Sequence, residues 1–195
     1  MISETSKLIL EKVAPVFNKQ GYVGTSLADI TKATRLTKGA IYCNFSNKEE
    51  LALQAFELNV KIAILPLFHQ IASKSNSIEK LYAITNYHRS YYDLVSGRGG
   101  CPMIRAGVDT KFINPKLFNR VQRLSGKMLA GLIDIIEDGI TNNEIGRHTD
   151  AKKYAKLILS MMEGSSFLAF THNDRSYIDD AMDFIDSSII QKIKN

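Results

Sequence analysis

Three helix-start signals follow one another between Ser26 and Leu51, and this crowding constrains the fold more than any other feature of the chain. Ser26 precedes Leu27-Ala28-Asp29-Ile30, with Asp29 placed three residues on as in a capping box. Thr37 precedes Lys38-Gly39-Ala40-Ile41, and Asn47 precedes Lys48-Glu49-Glu50-Leu51, with both glutamates in a first turn where the helix dipole favours them. Only Arg35-Leu36-Thr37 separates the first short helix from the second. Two short helices joined by so few residues form a helix-turn-helix, whose second helix has the dimensions to enter a DNA major groove. Ile30, Ala33, Leu36, Ile41 and Phe45, together with Ala28, can close one small core beneath it.

The surrounding sequence is helical as well. Leu8, Ile9, Lys12, Val13, Val16 and Phe17 recur at helical spacing before Lys19-Gln20-Gly21, a basic last turn and a C-capping glycine. Tyr22-Val23-Gly24-Thr25 reads as a loop. From Lys48 the stripe Leu51, Ala55, Leu58, Ile62, Leu65 continues to Pro66, where a kink is expected. Further helices are predicted at 77–96, 103–110, 115–142, 151–172 and 175–193, divided by clusters of Gly, Asn, Ser and Asp. No strand-like alternation displaces any of them. The expected fold is therefore all-α, with about nine helices. A three-helix DNA-binding domain over 1–48 precedes a larger helical domain over 49–195.

Charge is distributed to match. Of the formal net charge of +5, the segment 1–48 carries +4, from seven bases and three acids. The remaining chain, with 18 bases and 17 acids, is nearly neutral. A basic head suits a polyanionic partner, because neutralising phosphates releases condensed counterions. The four histidines are scattered, and no HExxH or Gly-rich phosphate loop is present, so neither an enzyme nor a bound metal or cofactor is expected. Cys43 and Cys101 lack the spacing of a disulfide framework or a zinc site. No secretory leader and no long apolar run is read, which predicts a cytoplasmic protein with no membrane partner.

The segments Thr25-Ser26-Leu27-Ala28-Asp29-Ile30, Thr37-Lys38-Gly39-Ala40-Ile41-Tyr42 and Phe45-Ser46-Asn47-Lys48-Glu49-Glu50-Leu51 resemble the DNA-binding domain of the TetR family of bacterial transcriptional regulators, over residues 5–52. The resemblance implies a repressor that binds a palindromic operator in double-stranded DNA as a homodimer and is released by a small-molecule effector. Ser26, Thr37, Lys38, Gly39, Tyr42 and Lys48 would grip phosphates, and Arg35, Thr37, Ala40 and Asn44 would read bases. Cys43 and Asn44 replace a tyrosine and a histidine common in the family. In the body, Phe68, Tyr87, His88, Tyr91, Cys101, Met103, Met128 and Phe167 mix apolar walls with polar handles and are the expected effector site; a Met and aromatic stripe of ordinary core is the other reading. Met161, Gly164 and Leu168, with the stripe Ile178, Met182, Ile185, Ile189, are the expected dimer interface; an ordinary intramolecular face is the other reading. Cys101, entering a short helix after Gly99-Gly100, is either a sensor thiol or a structural residue. The competing function is a helical ligand-carrying or protein-binding module without specific DNA binding.

Overall fold

The helix starts read from the sequence are made by the side chains expected to make them. In a computed structural model that describes residues 3–195, the Ser26 hydroxyl accepts from the Asp29 amide at 3.1 Å while the Asp29 carboxylate accepts from the Ser26 amide at 2.8 Å. The reciprocal capping box opens α2 (Leu27–Thr34). Thr37 Oγ1 accepts from the Ala40 amide at 3.2 Å to open α3 (Lys38–Tyr42). Asn47 Oδ1 accepts from the Glu50 amide at 2.9 Å to open α4 (Lys48–Ala72). Before them lies α1 (Glu4–Gly24). After them come α5 (Ser77–Ser96), α6 (Pro102–Thr110), α7 (Pro115–Thr141), α8 (Ala151–His172), α9 (Ser176–Phe184) and a last turn, α10 (Gln191–Ile193), reached through a π-helical stretch, Ile185–Ile190.

One expectation about α1 changes. Tyr22-Val23-Gly24 is helical rather than a loop, and the helix geometry breaks before it, at Gly21, with φ 79° and ψ 173°. Pro15 and Pro66 lie inside α1 and α4 rather than at their ends. By length and composition α4 is apolar enough to cross a membrane, with a mean hydropathy of 1.5 over its most apolar stretch. Leu51, Ala52, Ala55, Phe56, Ala63, Ile64 and Leu67 from that helix are instead buried in the protein.

The described chain forms two compact units. The first comprises the chain up to Ala63 together with Val95–Arg123, so it holds α1–α3, the start of α4, all of α6 and the start of α7. Ile9, Val13, Ile30, Ile41, Phe45 and Leu51 are its most completely buried side chains. The second comprises Ile64–Leu94 and Leu124–Asn195, with Leu81, Ile136, Ile145, Ile158, Ile178, Met182 and Ile185 at its centre.

The second unit is closed by its own C-terminus. The Gly146 amide donates to Ile193 O at 2.8 Å and the Asn195 amide to Glu144 O at 3.1 Å, so the chain end pairs with the α7–α8 connection. That connection turns tightly, with the amides of Glu144 and Ile145 both returning to Gly139 O, at 2.8 and 3.0 Å. A Cβ on Gly139 would lie 2.6 Å from Ile145 Cδ1 and 2.9 Å from Ser77 Cβ. Alanine normally gains about 1 kcal/mol over glycine in a helix, but overpacking a filled core costs about 1–3 kcal/mol. Gly139→Ala is therefore expected to lower the stability measured by chemical denaturation. Gly126→Ala on the same helix, where a Cβ meets nothing within 4 Å, is expected to raise it. The reverse order would show that the turn relaxes around the added methyl.

Candidate nucleic-acid interface and effector cavity

The helix α3 is about one and a half turns long, and it is held in place by what is buried beneath it. Ile41 is fully buried and Phe45 nearly so, which leaves Thr37, Lys38 and Gly39 exposed on the outer side and Ala40 and Tyr42 partly exposed. Arg35 turns the chain from α2 into this helix in the left-handed conformation, φ 58°, with its amide donating to Thr31 O at 2.8 Å and its side chain exposed. The Ser26 hydroxyl, expected to face phosphate, also lies 2.5 Å from Asp29 Oδ2, and Ser26's two hydrogen bonds hold the Asp29 carboxyl below the usual carboxylate range. Glu50 is held low in the same way by the hydroxyl and amide of Ser46, each at 2.6 Å.

Two of the expected contact residues have partners inside the protein. The helix stops at Tyr42, and beyond it the Asn44 side chain donates to Ala40 O at 3.0 Å. Asn44 Oδ1 in turn accepts from the hydroxyls of Ser3 and Ser6, each at 3.0 Å. The amide expected to read a base edge thus ties the end of α3 to the start of α1. Lys48 is partly buried, with Nζ 4.6 Å from the centre of the Tyr22 ring. Burial lowers the pKa of its ammonium, against the opposing charge of Asp109.

In the second unit, Ile64, Leu67, Phe68, Ile71, Ile84, Met128, Gly131, Leu132, Ile135 and Met162 enclose a cavity of about 220 Å³, with Lys127 and Asp134 also in its lining. Of the residues expected at an effector site, Phe68 and Met128 line this cavity. His88 is buried behind this lining, stacked on Tyr91 with ring centres 5.3 Å apart. Its Nε2–H points at Met162 O, 3.0 Å away, with the Ser166 hydroxyl at 3.1 Å. Burial pushes the His88 imidazole down to about 4, only partly offset by the Met162 carbonyl.

Both halves of the chain match known families. Residues 9–55 match the family described as "Bacterial regulatory proteins, tetR family", and residues 77–185 match "Tetracyclin repressor-like, C-terminal domain". The chain belongs to the TetR family of transcriptional regulators. A TetR-family regulator from Chloroflexus aurantiacus is 30% identical and superposes with a TM-score of 0.92, over 98% of this chain and 96% of that one. One from Cytophaga hutchinsonii, also 30% identical, gives a TM-score of 0.88 over 100% and 98%. An uncharacterized HTH-type transcriptional regulator of Bacillus subtilis is 26% identical over 89% of this chain and 88% of its own length.

Against the TetR architecture, several expected body residues fall elsewhere. Cys101 and Met103 are buried in the first unit, at the entry to α6, and do not line the cavity. Tyr87 and Tyr91 are buried core residues that do not line it either. Phe167 is 53% exposed on the outer side of α8. The stripe Ile178, Met182, Ile185, Ile189 is at most 5% exposed within the single chain, so it is core and unavailable to a second subunit. Helical period reports that a face is apolar, not what covers it. Of the expected interface set, Met161, Gly164 and Leu168 remain accessible, joined on the surface by Leu157 and Phe167.

Asp109 and Asn18 were not singled out by sequence, because their partners lie 87 and about 80 residues away in the chain. The only local signal was Gly21, read as an ordinary cap. For His88 the sign of the pH effect is fixed. The folded state keeps the ring neutral down to about pH 4, whereas the unfolded chain takes up a proton near 6.5. Stability is full above 6.5 and is lost as the pH falls toward 4, by roughly 3 kcal/mol in all. Urea midpoints measured between pH 7 and 4 should show this decline, and His88→Gln should flatten it. An equally steep decline in His88→Gln would assign it to other groups.

Proposed function

We propose that this TetR-family protein is a dimeric, effector-responsive repressor acting in the cytoplasm, with residues 1–48 as its operator-binding head. The observation that carries the reading is the outer side of α3, where Thr37, Lys38 and Gly39 stand exposed over the buried Ile41 and Phe45. Lys38, Tyr42, Ser26 and Lys48 hold phosphates in this reading, which fixes register without reading sequence. Arg35, Thr37 and Ala40 read base edges, the last by contact with a thymine methyl. Asn44 orders the end of the helix. A TetR-family protein of the same fold, 17% identical, has been captured on a 26-bp double-stranded operator.

Two-fold symmetry makes the operator palindromic, with half-sites about 34–36 Å apart or somewhat more. The apolar surface of α8, Leu157, Met161, Gly164, Phe167 and Leu168, is the face offered to the second subunit, since a patch of this kind on water is costly to leave uncovered. The apolar cavity takes the effector. At about 220 Å³ it suits a compact, largely apolar molecule with few polar groups.

Selection of binding sites from random duplex DNA tests the reading. A palindromic consensus with a steep salt dependence is expected. Lys38→Ala should weaken all sequences alike and reduce the slope of log K against log salt by about one. Weak, sequence-blind binding would favour the ligand-carrying alternative. For the dimer, Leu168→Glu is expected to give monomers in sedimentation velocity and to abolish cooperative occupation of both half-sites. A variant that stays dimeric would move the interface off α8.

A further inference from the structure

α6 is bound to α1 at both of its ends, and all of the groups involved lie within the first compact unit. At its start, the buried Asn18 side chain donates to Arg98 O at 2.9 Å and Gly100 O at 2.8 Å. Those carbonyls belong to the glycine turn that delivers Cys101 and Pro102 into the helix. Gly99, at φ 97°, lies so close to α1 that a Cβ would be 2.7 Å from Lys19 Cγ and 2.8 Å from its backbone nitrogen.

At the other end, Asp109 Oδ2 accepts from the amides of Tyr22 and, at 3.3 Å, Val23. Gly21 has left helical geometry, so these two amides open a fresh turn and have no helical carbonyl to meet. Asp109 serves as the N-cap of that turn from a different helix. The approach requires glycine twice over: φ is 79°, and a Cβ on Gly21 would be 2.8 Å from the same carboxylate oxygen. The turn then passes directly to Thr25, whose hydroxyl donates to Gly21 O at 2.6 Å, and to Ser26, the cap of α2. Tyr22, in the same turn, carries the Lys48 ammonium over its ring.

We propose that Asp109 is a positioning residue for operator binding: by capping the Tyr22–Gly24 turn from α6, it sets the direction in which the chain enters the helix-turn-helix and the place where Lys48 meets the phosphate backbone. α6 is on this account a working part of the DNA-binding unit, although it lies outside the segment that matches the family's DNA-binding region. The proposal rests on the reading of α3 as the operator-reading helix.

The sign of the effect separates positioning from simple electrostatics. Asp109 is a negative charge beside a lysine assigned to phosphate, so removing it would by charge alone tighten DNA binding and steepen its salt dependence. Positioning requires the opposite. With full-length protein and the duplex enriched from random DNA, Asp109→Ala is expected to bind about tenfold more weakly than the wild type. Asp109→Asn keeps one acceptor oxygen and should lose about threefold. Amide exchange at Tyr22 and Val23 should accelerate in the alanine variant. Val108→Ala, an 81% exposed neighbour on α6, should leave all readouts unchanged.

Binding by Asp109→Ala at or above the wild-type level would overturn the proposal, as would unaltered exchange at the two amides. If the alanine variant does not fold, the asparagine variant decides, and its binding at or above the wild-type level overturns the proposal equally. A wild type that enriches no specific duplex would instead sink the operator reading of α3, a distinct result.

Discussion

The burial of Ile30, Ile41 and Phe45 in the core of the first unit is the interaction on which the helix-turn-helix depends. A five-residue helix has no stability of its own in water, because the cost of nucleation is never recovered over so few hydrogen bonds. α3 exists because Ile41 within it and Phe45 just beyond it are removed from solvent and because Thr37 and Asn44 occupy groups at its two ends. The exposed polar side is then rigid enough to present the same atoms to every half-site, which base readout requires. Its stability is borrowed from tertiary packing, so anything that shifts α1 or α4 also shifts the reading surface.

The two units use similar chemistry for different ends. In the first, carboxylates and hydroxyls are spent on helix caps, and the residual positive charge faces outward. Around the cavity of the second, polar groups are few, and burial keeps His88 neutral while its ring donates to Met162 O and stacks on Tyr91. A neutral imidazole behind an apolar cavity adds a donor to the core without adding a charge, so the cavity wall stays compatible with an apolar occupant. Arg89 reaches Asp183 and Asp186, each at 2.7 Å, and ties α5 to the C-terminal helices on the unit's outer side.

How much was legible differs by element. The capping residues Ser26, Thr37 and Asn47 announced their helices correctly, because capping is a contact over three residues and sequence spacing is enough to describe it. Helix extents across α5, α7 and α8 followed from apolar period and turn clusters. The C-terminal stripe from Ile178 to Ile189 was just as visible, but its partner was misread, since a buried face inside one chain and a face between two chains have the same period. The partners of Asn44 were hidden for a related reason: its spacing placed it beside a groove, and only the fold brings Ser3 and Ser6 to it.

What the sequence by itself determined is therefore local: the all-helical class, the caps, the helix-turn-helix between Ser26 and Phe45, and the basic character of the first 48 residues. These follow from contacts within a turn or two of chain. The tertiary structure alone decided that α6 packs in one unit with α1–α3, that Gly21 breaks α1 to receive the carboxylate of Asp109, and that an apolar cavity is lined from α4, α5, α7 and α8. Each of those depends on groups tens of residues apart, whose meeting is set by how the helices pack rather than by the spacing of residues within any one of them.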